Sequence, residues 1–208
     1  MPSAAISVEI NQLQLRRGHQ RLFAQSISER FCSGVLNLLT GPNGSGKTTL
    51  LDVISYRAPT PSGAGVHWST RIEATDIAYL PQQLWDVLDI RIADLLALAI
   101  GFGCPRTIEQ PALLQNVLAR RSKELAALSG GQRQLLLFWL VSSQQRRIFI
   151  YDEPVRYLDP ISGRYVMEMI ENQVNKGMFV VVTDHSQETQ WRVPCHCVAL
   201  VHPVIDGR

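Results

Sequence analysis

The sequence predicts an α/β fold whose core is a mostly parallel β-sheet. Two apolar runs, Ile148 to Tyr151 and Met178 to Thr183, are continuous rather than alternating, as in strands that are buried on both faces. Between them, residues 162–176 have the spacing of a helix, so the predicted order is strand, helix, strand. Two parallel strands need a crossover of this kind, and the order therefore favours a parallel sheet.

The N-terminal part of the chain predicts antiparallel β-structure followed by the first core elements. Apolar and polar residues alternate from Ile6 to Leu15, and a second such stretch lies around Leu22 to Phe31. Val35 to Thr40 is a short apolar run that ends in a glycine-rich segment, and the residues after Lys47 are typical of a helix. We therefore expect an antiparallel β subdomain and then a strand, a loop and a helix of the core.

The middle of the chain predicts a mostly helical subdomain. Residues 75–80 form a predicted strand that ends at Pro81, after a turn-rich connector at residues 59–65. Ile90 to Ile100 and Pro111 to Arg121 have leucine, isoleucine and alanine at helical spacing. We expect a single domain over residues 1–208 in which residues from about 84 to 140 form the helical subdomain.

The glycine-rich segment matches the pattern G-x-x-x-x-G-K-[ST] and stands between a predicted strand and a predicted helix, as this phosphate-binding loop requires. Its glycines let backbone N–H groups surround phosphate oxygens, and the helix N-terminus adds partial positive charge. A lysine at this position reaches the β and γ phosphates of a nucleoside triphosphate, and the following hydroxyl binds magnesium. The predicted nucleotide-binding residues are Gly41, Pro42, Asn43, Gly44, Ser45, Gly46, Lys47, Thr48 and Thr49.

Two adjacent carboxylates follow the apolar run that ends at Tyr151. In open α/β sheets ligands bind beyond the carboxyl ends of the strands, which is where Asp152 and Glu153 fall. Successive residues point in different directions, so Asp152 can hold magnesium while Glu153 faces the γ phosphate and polarises the attacking water. Taken alone, the pair would be read as a strand end that turns into solvent, and the phosphate-binding loop upstream favours the functional interpretation.

A second glycine-rich helix start lies in the middle of the chain. Leu128 and the four residues after it precede a strongly apolar helical stretch, so a serine and two glycines stand at a helix N-terminus that is suited to phosphate. The alternative is a serine-capped helix with a flexible entry. The residues concerned are Ser129, Gly130, Gly131 and Gln132.

These three motifs, in this order and at this spacing, resemble those of the ATP-binding cassette (ABC) ATPases over nearly the whole chain. The resemblance implies an ATP-hydrolysing enzyme with a P-loop NTPase core and with ATP and Mg²⁺ as cofactors. It also implies a head-to-tail dimer, either a homodimer or a pair with a second ABC ATPase subunit. In that dimer, the residues from Ser129 to Gln132 of one protomer would close over the ATP held by the P-loop of the other.

The resemblance extends to three further residues. Gln82 is similar to the family's Q-loop glutamine, which contacts magnesium and the nucleophilic water, and Gln83 is the weaker alternative. His185, after a predicted strand, is similar to the switch histidine that contacts the γ phosphate. Asp159 is similar to the aspartate of the D-loop, the segment at residues 155–159 that lies near nucleotide in the dimer.

The chain departs from the family pattern in two places. Arg17 stands near the usual aromatic residue that stacks on adenine, so either its guanidinium stacks instead or adenine is held more weakly. Arg156 and Tyr157 are bulkier than the small residues common in the D-loop, which would alter communication across the dimer.

The resemblance implies transmembrane permease subunits as partners and, for an importer, a solute-binding protein. Residues 82–101 are similar to the stretch that follows the Q-loop in importers of metals and metal chelates, whereas the short length is also similar to exporters for cytochrome c maturation. A docking surface for the permease is expected around Trp85 to Arg91. The rival functions are a non-transport ABC ATPase and a P-loop kinase, and a kinase would leave the residues from Ser129 to Gln132 unexplained.

Composition and charge narrow the function further. Hydrophobic residues make up 46% and charged residues 18% of the 208 residues, which excludes a disordered chain. The formal net charge is +2 and the arginine pairs are scattered, so we expect no nucleic-acid partner.

Targeting and cysteine patterns give the expected location. The apolar runs are far shorter than a membrane span, and no secretion signal is visible, so we expect a cytoplasmic protein that is peripheral on the inner face of the cell membrane. The four cysteines form no regular framework, which suits a reducing compartment. Cys195 and Cys197 flank His196, and packing is a better interpretation of this pattern than metal binding.

Overall fold

The centre of the fold is a five-stranded parallel sheet, whose neighbouring strands are, in order, β10 (Cys195–Ala199), β5 (Leu36–Thr40), β9 (Phe179–Asp184), β8 (Ile148–Asp152) and β7 (Ile77–Leu80). A computed structural model of the chain describes residues 5–17, 20–61, 63–82, 90–106, 110–184 and 190–201. The strands are β1 (Ser7–Leu13), β2 (Arg16–Arg17), β3 (Gln20–Arg21), β4 (Ile27–Cys32), β5 (Leu36–Thr40), β6 (Gly65–Trp68), β7 (Ile77–Leu80), β8 (Ile148–Asp152), β9 (Phe179–Asp184) and β10 (Cys195–Ala199). The helices are α1 (Lys47–Ile54), α2 (Ile92–Gly101), α3 (Gln115–Leu118), α4 (Gly130–Ser142) and α5 (Pro160–Asn175).

Both faces of the parallel sheet are covered by apolar side chains. Successive residues of β8 point to opposite faces, so Phe149 packs in one core and Ile150 in the other. Every residue of β8 and β9 is buried, as the continuous apolar runs predicted. One core contains side chains of α4 and α5, and the other contains side chains of α1 and of the antiparallel sheet. The P-loop and the residues after β8 are therefore held by strands that are fixed from both sides.

The antiparallel part of the fold is the three-stranded sheet β4-β1-β6. Strand β1 pairs with both neighbours and contains an irregularity between Ile10 and Leu13, where Gln12 adopts a positive φ of 50°. The short strands β2 and β3 form a separate antiparallel pair. The predicted N-terminal antiparallel subdomain is confirmed.

The regular elements that the structure describes between β7 and β8 are helices, joined by turns. Helix α4 is buried along most of its length, and α2 packs on it through Ile92 and Ala99. A membrane-spanning helix, which must be both long and apolar, does not occur within the described residues. Of the expected docking surface at residues 85–91, residues 85–89 lie outside the described part of the chain.

The structure differs from the predicted elements in three places. The strand expected around Leu22 starts only at Ile27, after a series of bends. Strand β6 was not predicted, and it starts at Gly65, the last residue of the connector expected at residues 59–65. Instead of the helix expected from Pro111 to Arg121, the structure contains a 3₁₀ turn and the short helix α3. Helix α3 ends at Leu118 because the next positions on its apolar side hold exposed polar residues.

Candidate functional site

The glycine-rich loop leaves the carboxyl end of β5 and turns into α1 through residues that need glycine. Gly41 has a φ of 145°, and a Cβ atom there would collide with the carbonyl oxygen of Leu200. Gly46 has a φ of 91°, and a Cβ atom there would lie 2.8 Å from Cε1 of Phe23. Backbone conformation and close packing both require glycine, so the loop can keep this shape only with these residues.

The N-terminus of α1 has no acidic residue or side-chain cap of its own. The N-cap residue is Gly46, which has no side chain that could accept a hydrogen bond from the first amides of the helix. The first turn of α1 also contains no acidic residue. By contrast, Ser129 caps α4 and Asp159 caps α5 through side-chain oxygens. The first amide groups of a helix need external acceptors, and together with the helix dipole they favour an anion. The start of α1 is therefore suited to phosphate.

Two side chains of the loop add polar groups at the same place. The Oγ atom of Ser45 is buried and has no hydrogen-bond partner within the described residues. The Lys47 ammonium donates hydrogen bonds to the carbonyl oxygens of Gly41 (2.7 Å) and Pro42 (3.1 Å). Burial lowers the pKa of Lys47, and the carboxylates of Glu153, Asp152 and Asp184 oppose that effect. These groups offer a hydroxyl and a cation to a bound anion.

The carboxylate of Asp152 is bridged between two hydroxyl groups. Thr48 Oγ1 donates to Asp152 Oδ2 over 2.6 Å, and Thr183 Oγ1 donates to Asp152 Oδ1 over 2.5 Å. Burial raises the pKa of the Asp152 carboxyl, and the hydrogen bonds from Thr183 and Thr48 oppose this rise. Strands β8 and β9 and helix α1 therefore bring three oxygen-bearing side chains together.

Glu153 lies directly after β8 in a turn whose geometry is unusual. Its φ is 53°, a conformation that glutamate rarely adopts, and its side chain is 5% exposed. The backbone N–H of Glu153 donates to Thr183 Oγ1 over 2.8 Å. Its Oε2 atom accepts from Arg156 Nη1, also over 2.8 Å. A strained, buried acid held at several points is typical of a functional position.

Four of the residues described above, Gly46, Lys47, Thr48 and Glu153, line a cavity of about 380 Å³ at the start of α1. Most of its lining was predicted, including the catalytic candidates Glu153 and Gln82. Arg16 and Leu22 were not predicted, and no local pattern marks them because they belong to the short β2–β3 region. The lining residues are Arg16, Leu22, Asn43, Gly44, Gly46, Lys47, Thr48, Thr49, Gln82 and Glu153.

The second glycine-rich helix start does not belong to this cavity. Ser129 and Gly130 are exposed, and none of the residues from Ser129 to Gln132 is among the cavity lining. Ser129 Oγ accepts from Gln132 N (3.3 Å), and Gln132 Oε1 accepts from Ser129 N (3.1 Å), which forms a capping box. Within this chain, therefore, the start of α4 is occupied by its own side chains and stands apart from the P-loop.

Helix α4 nevertheless contacts the turn that contains Glu153. A Cβ atom on Gly131 would lie 2.8 Å from the carbonyl oxygen of Tyr157. The buried Gln134 donates through Nε2 to the carbonyl oxygens of Pro154 (3.0 Å) and Glu153 (3.4 Å). Gln134 was not predicted, since only the fold brings α4 against this turn.

Three predicted site residues stand elsewhere or lie outside the described part of the chain. The carboxylate of Asp159 caps α5, where it accepts from Ile161 N, Ser162 N and Ser162 Oγ. His185 lies outside the described residues, as does the alternative Gln83. The backbone of Arg17 lies in β2, but its side chain is not among those described.

Of the cysteines singled out in the sequence, Cys195 and Cys197 are exposed on β10, and His196 lies 3.4 Å from Glu29.

The groups at the cavity fit a nucleoside triphosphate with magnesium. The uncapped amides of α1, the buried Ser45 hydroxyl and the Lys47 ammonium match phosphate oxygens. The oxygens of Thr48 and Asp152 lie 2.6 Å apart, and magnesium prefers oxygen ligands of this kind. The arrangement can hold a polyphosphate against a buried carboxylate.

Comparison with known proteins gives consistent results. A family model described as ABC transporter matches residues 24–156. A cytochrome c biogenesis ATP-binding export protein of Cupriavidus metallidurans is 30% identical over 192 residues, which cover 86% of this chain and 90% of that protein. An iron(3+)-hydroxamate import ATP-binding protein of Bacillus subtilis is 27% identical over an alignment that covers 93% of this chain and 78% of that protein.

The fold has a close counterpart among solved structures. A structure described as the ATP binding subunit of an ABC transporter matches with a TM-score of 0.77 at 23% identity. The match covers 94% of this chain and 86% of that chain. The parallel sheet with its smaller antiparallel sheet is therefore the P-loop NTPase arrangement that was predicted.

Proposed function

The chain belongs to the ABC transporter family as an ATP-binding, ATP-hydrolysing subunit, and from this premise we propose that it closes head to tail with a second ABC ATPase subunit around ATP and Mg²⁺. The second subunit is another copy of this chain or a related ABC ATPase. The closing of the two ATPase subunits drives transport through separate permease subunits. The observation that carries the proposal is that Lys47, Thr48 and Glu153 line one cavity at an uncapped helix start.

Binding of ATP follows from the P-loop contacts. The γ and β phosphates take the place that the loop carbonyls now hold beside the Lys47 ammonium, and they accept from the first amides of α1. The Ser45 hydroxyl is a further donor. Thr48 and Asp152 would hold magnesium, with Gln82 in the lining of the same cavity, and the metal would supply charge neutralisation for the phosphates. The remaining P-loop residues, from Gly41 to Thr49, shape the cradle.

Hydrolysis follows from the position of Glu153. Its carboxylate orients a water molecule and accepts its proton while the water oxygen bonds to the γ phosphorus and the bond to the ADP oxygen breaks. The resemblance assigns His185 to the γ phosphate and Gln82 to the nucleophilic water. These two roles remain proposals, as does the contact of Asp159 with nucleotide.

A second subunit explains why the start of α4 stands apart from the cavity. Ser129 and Gly130 are exposed at a helix N-terminus that suits phosphate, and none of the residues from Ser129 to Gln132 lines the P-loop cavity of their own chain. In the proposed dimer they complete the site of the partner. The capping box of Ser129 and Gln132 would then open, and the γ phosphate would replace it as acceptor.

The test is the Glu153→Gln variant. Glutamine preserves shape but accepts no proton, so turnover should fall by a factor of about 10² to 10⁴ while ATP affinity stays close to that of the wild type. The variant should accumulate as an ATP-bound dimer, which light scattering after size-exclusion chromatography measures.

The matched control is Glu168→Gln, which removes an exposed carboxylate of α5 and should leave both properties unchanged. Wild-type turnover in the Glu153→Gln variant would remove this residue from the mechanism. A variant that binds ATP and Mg²⁺ but stays monomeric, with membrane partners present or absent, would contradict the dimer.

The proposed setting is the cytoplasmic face of the cell membrane, where the chain binds permease subunits. The relatives favour two transport classes, import of a metal or metal chelate and export of the kind used in cytochrome c biogenesis. An importer would add a solute-binding protein. Purification of the tagged chain from its own membranes, followed by identification of the copurified subunits, distinguishes these classes, because a solute-binding protein among them would exclude the exporter.

A further inference from the structure

We infer that Arg156 is a positioning residue that sets the side chain of Glu153 for catalysis. The juxtaposition behind this inference is the 2.8 Å ion pair between Arg156 Nη1 and Glu153 Oε2 within one turn. The inference rests on the proposed function, in which the Glu153 carboxylate acts on water.

The backbone of Glu153 is fixed from two directions that do not involve Arg156. Its N–H donates to Thr183 Oγ1 on β9, and its carbonyl oxygen accepts from Gln134 on α4. These contacts hold the positive φ of Glu153 but leave the rotation about its side-chain bonds to other groups. A guanidinium on Oε2 restricts that rotation directly.

Arg156 is itself held in the geometry that this role needs. The backbone N–H of Arg156 donates to the Glu153 carbonyl oxygen over 3.2 Å, so the same turn fixes both members of the ion pair. Its guanidinium lies over the ring of Tyr157, with Cζ 4.8 Å from the ring centre. Because the ring and the turn hold the cation, little conformational entropy is lost when it contacts the carboxylate.

The burial of the two side chains supports a contact that bridges the interior and the surface. The Glu153 side chain is 5% exposed and the Arg156 side chain 38%. A buried carboxylate without a partner is costly, and the guanidinium reaches it from the solvent side. Glu153 also lines the P-loop cavity, whereas Arg156 is not among the lining residues.

Arg156 thus holds one carboxylate oxygen, and the orientation of the other follows from that contact. In the reaction, the water oxygen forms a bond to the γ phosphorus, the phosphorus–oxygen bond to ADP breaks, and the water proton passes to Glu153. ADP leaves with the electron pair of the broken bond. Arg156 takes no proton and touches no reacting atom.

The experiment compares ATP turnover and ATP affinity of the purified chain with those of the Arg156→Ala and Arg156→Lys variants. Arg156→Ala should lower kcat about tenfold, because the glutamate side chain regains rotamer freedom, and should change KM for ATP by less than about twofold. Arg156→Lys keeps a cation at this place and should restore part of the loss.

A double-mutant cycle separates positioning from a structural effect. In the Glu153→Gln background, Arg156→Ala should cause no further fall in turnover, because the group that Arg156 positions is already absent. A structural defect would lower turnover again in that background. Thermal unfolding reports folding of each variant, and Arg164→Ala, which removes an exposed arginine of α5, serves as the matched control.

The outcomes distinguish this inference from the proposed function. Wild-type turnover in Arg156→Ala, increased turnover, or an equal further fall in the Glu153→Gln background would each overturn the role of Arg156 and leave the proposed function in place. A wild-type chain that binds ATP without hydrolysing it, even together with the subunits that copurify with it, would contradict the proposed function, and the role of Arg156 with it.

Discussion

Thr48 on the first turn of α1 donates a hydrogen bond of 2.6 Å to Asp152 at the end of β8, which ties the P-loop helix to the neighbouring part of the parallel sheet. The two residues are separated by 104 positions in the sequence. Their oxygens are the ones proposed to hold magnesium, so the hydrogen bond keeps the two ligands close together.

Thr48→Val should raise the magnesium concentration needed for half-maximal turnover. Valine has the shape of threonine but lacks the hydroxyl, so one proposed ligand and the donor to Asp152 are lost together. The loss of that donor at a buried carboxylate should also lower the free energy of unfolding by about 1–3 kcal/mol. A titration of turnover with magnesium measures the first effect, and Thr48→Ser, which keeps the hydroxyl, should behave nearly like the wild type. An unchanged magnesium requirement in the valine variant would remove Thr48 from the metal site.

Lys47→Ala should weaken ATP binding itself. A hydrogen bond to a charged group is worth about 1.5–3 kcal/mol, which corresponds to a change in Kd of roughly 10- to 150-fold. Calorimetry or a fluorescent ATP analogue measures the change. Lys176→Ala, which removes an exposed lysine at the end of α5, is the matched control and should bind ATP normally. Normal affinity in both variants would mean that phosphate does not bind at the P-loop lysine.

Gly46→Ala should destabilise the fold and impair ATP binding. The φ of 91° is strained for alanine, at a cost of about 1–3 kcal/mol, and the new Cβ atom would lie 2.8 Å from Phe23. Urea unfolding measures the loss. Gly163→Ala is the informative comparison, because Gly163 lies in α5 with open space around its Cβ position. There alanine should raise stability by about 0.5–1 kcal/mol. Equal effects at the two positions would contradict the strained conformation of Gly46.

Gln134→Leu should lower turnover more than it lowers ATP affinity. The buried amide donates to the carbonyl oxygens of Glu153 and Pro154, and leucine leaves both without this donor. The expected loss of stability is about 1–3 kcal/mol, and the turn that carries Glu153 should lose its fixed geometry. Steady-state kinetics gives kcat and KM separately, with the exposed Gln115→Leu as control. A proportional loss of ATP affinity would indicate a general defect instead.

The sequence predicts best the parts of the fold where one physical signal dominates. Strands β8 and β9 are buried on both faces, and the continuous apolar runs in their sequences predict this burial. Strand β6 was not predicted, because its residues are only partly buried and follow a segment rich in proline and glycine. Its place depends on pairing with β1, which is a property of the tertiary structure.

The same distinction applies to the site. The P-loop residues are adjacent in the chain, so a pattern marks them. Arg16 lies in β2 and Leu22 directly follows β3, and these two-residue strands are too short to show any periodicity. The contact of Arg156 with Glu153 needs the turn after β8, and the sequence alone showed only that Arg156 is larger than the usual residue there.

The close approach of Leu200 to Gly41 has a consequence for how the protein is made. Strand β10 pairs with β5, and the Leu200 carbonyl oxygen lies so close to Gly41 that a Cβ atom there would collide with it, while the Leu200 N–H donates to the Thr40 carbonyl oxygen. The support of the nucleotide cradle therefore comes from a segment that is synthesised long after the cradle itself. A nascent chain on the ribosome lacks this backing until residue 200 has emerged, so affinity for ATP should appear late in translation.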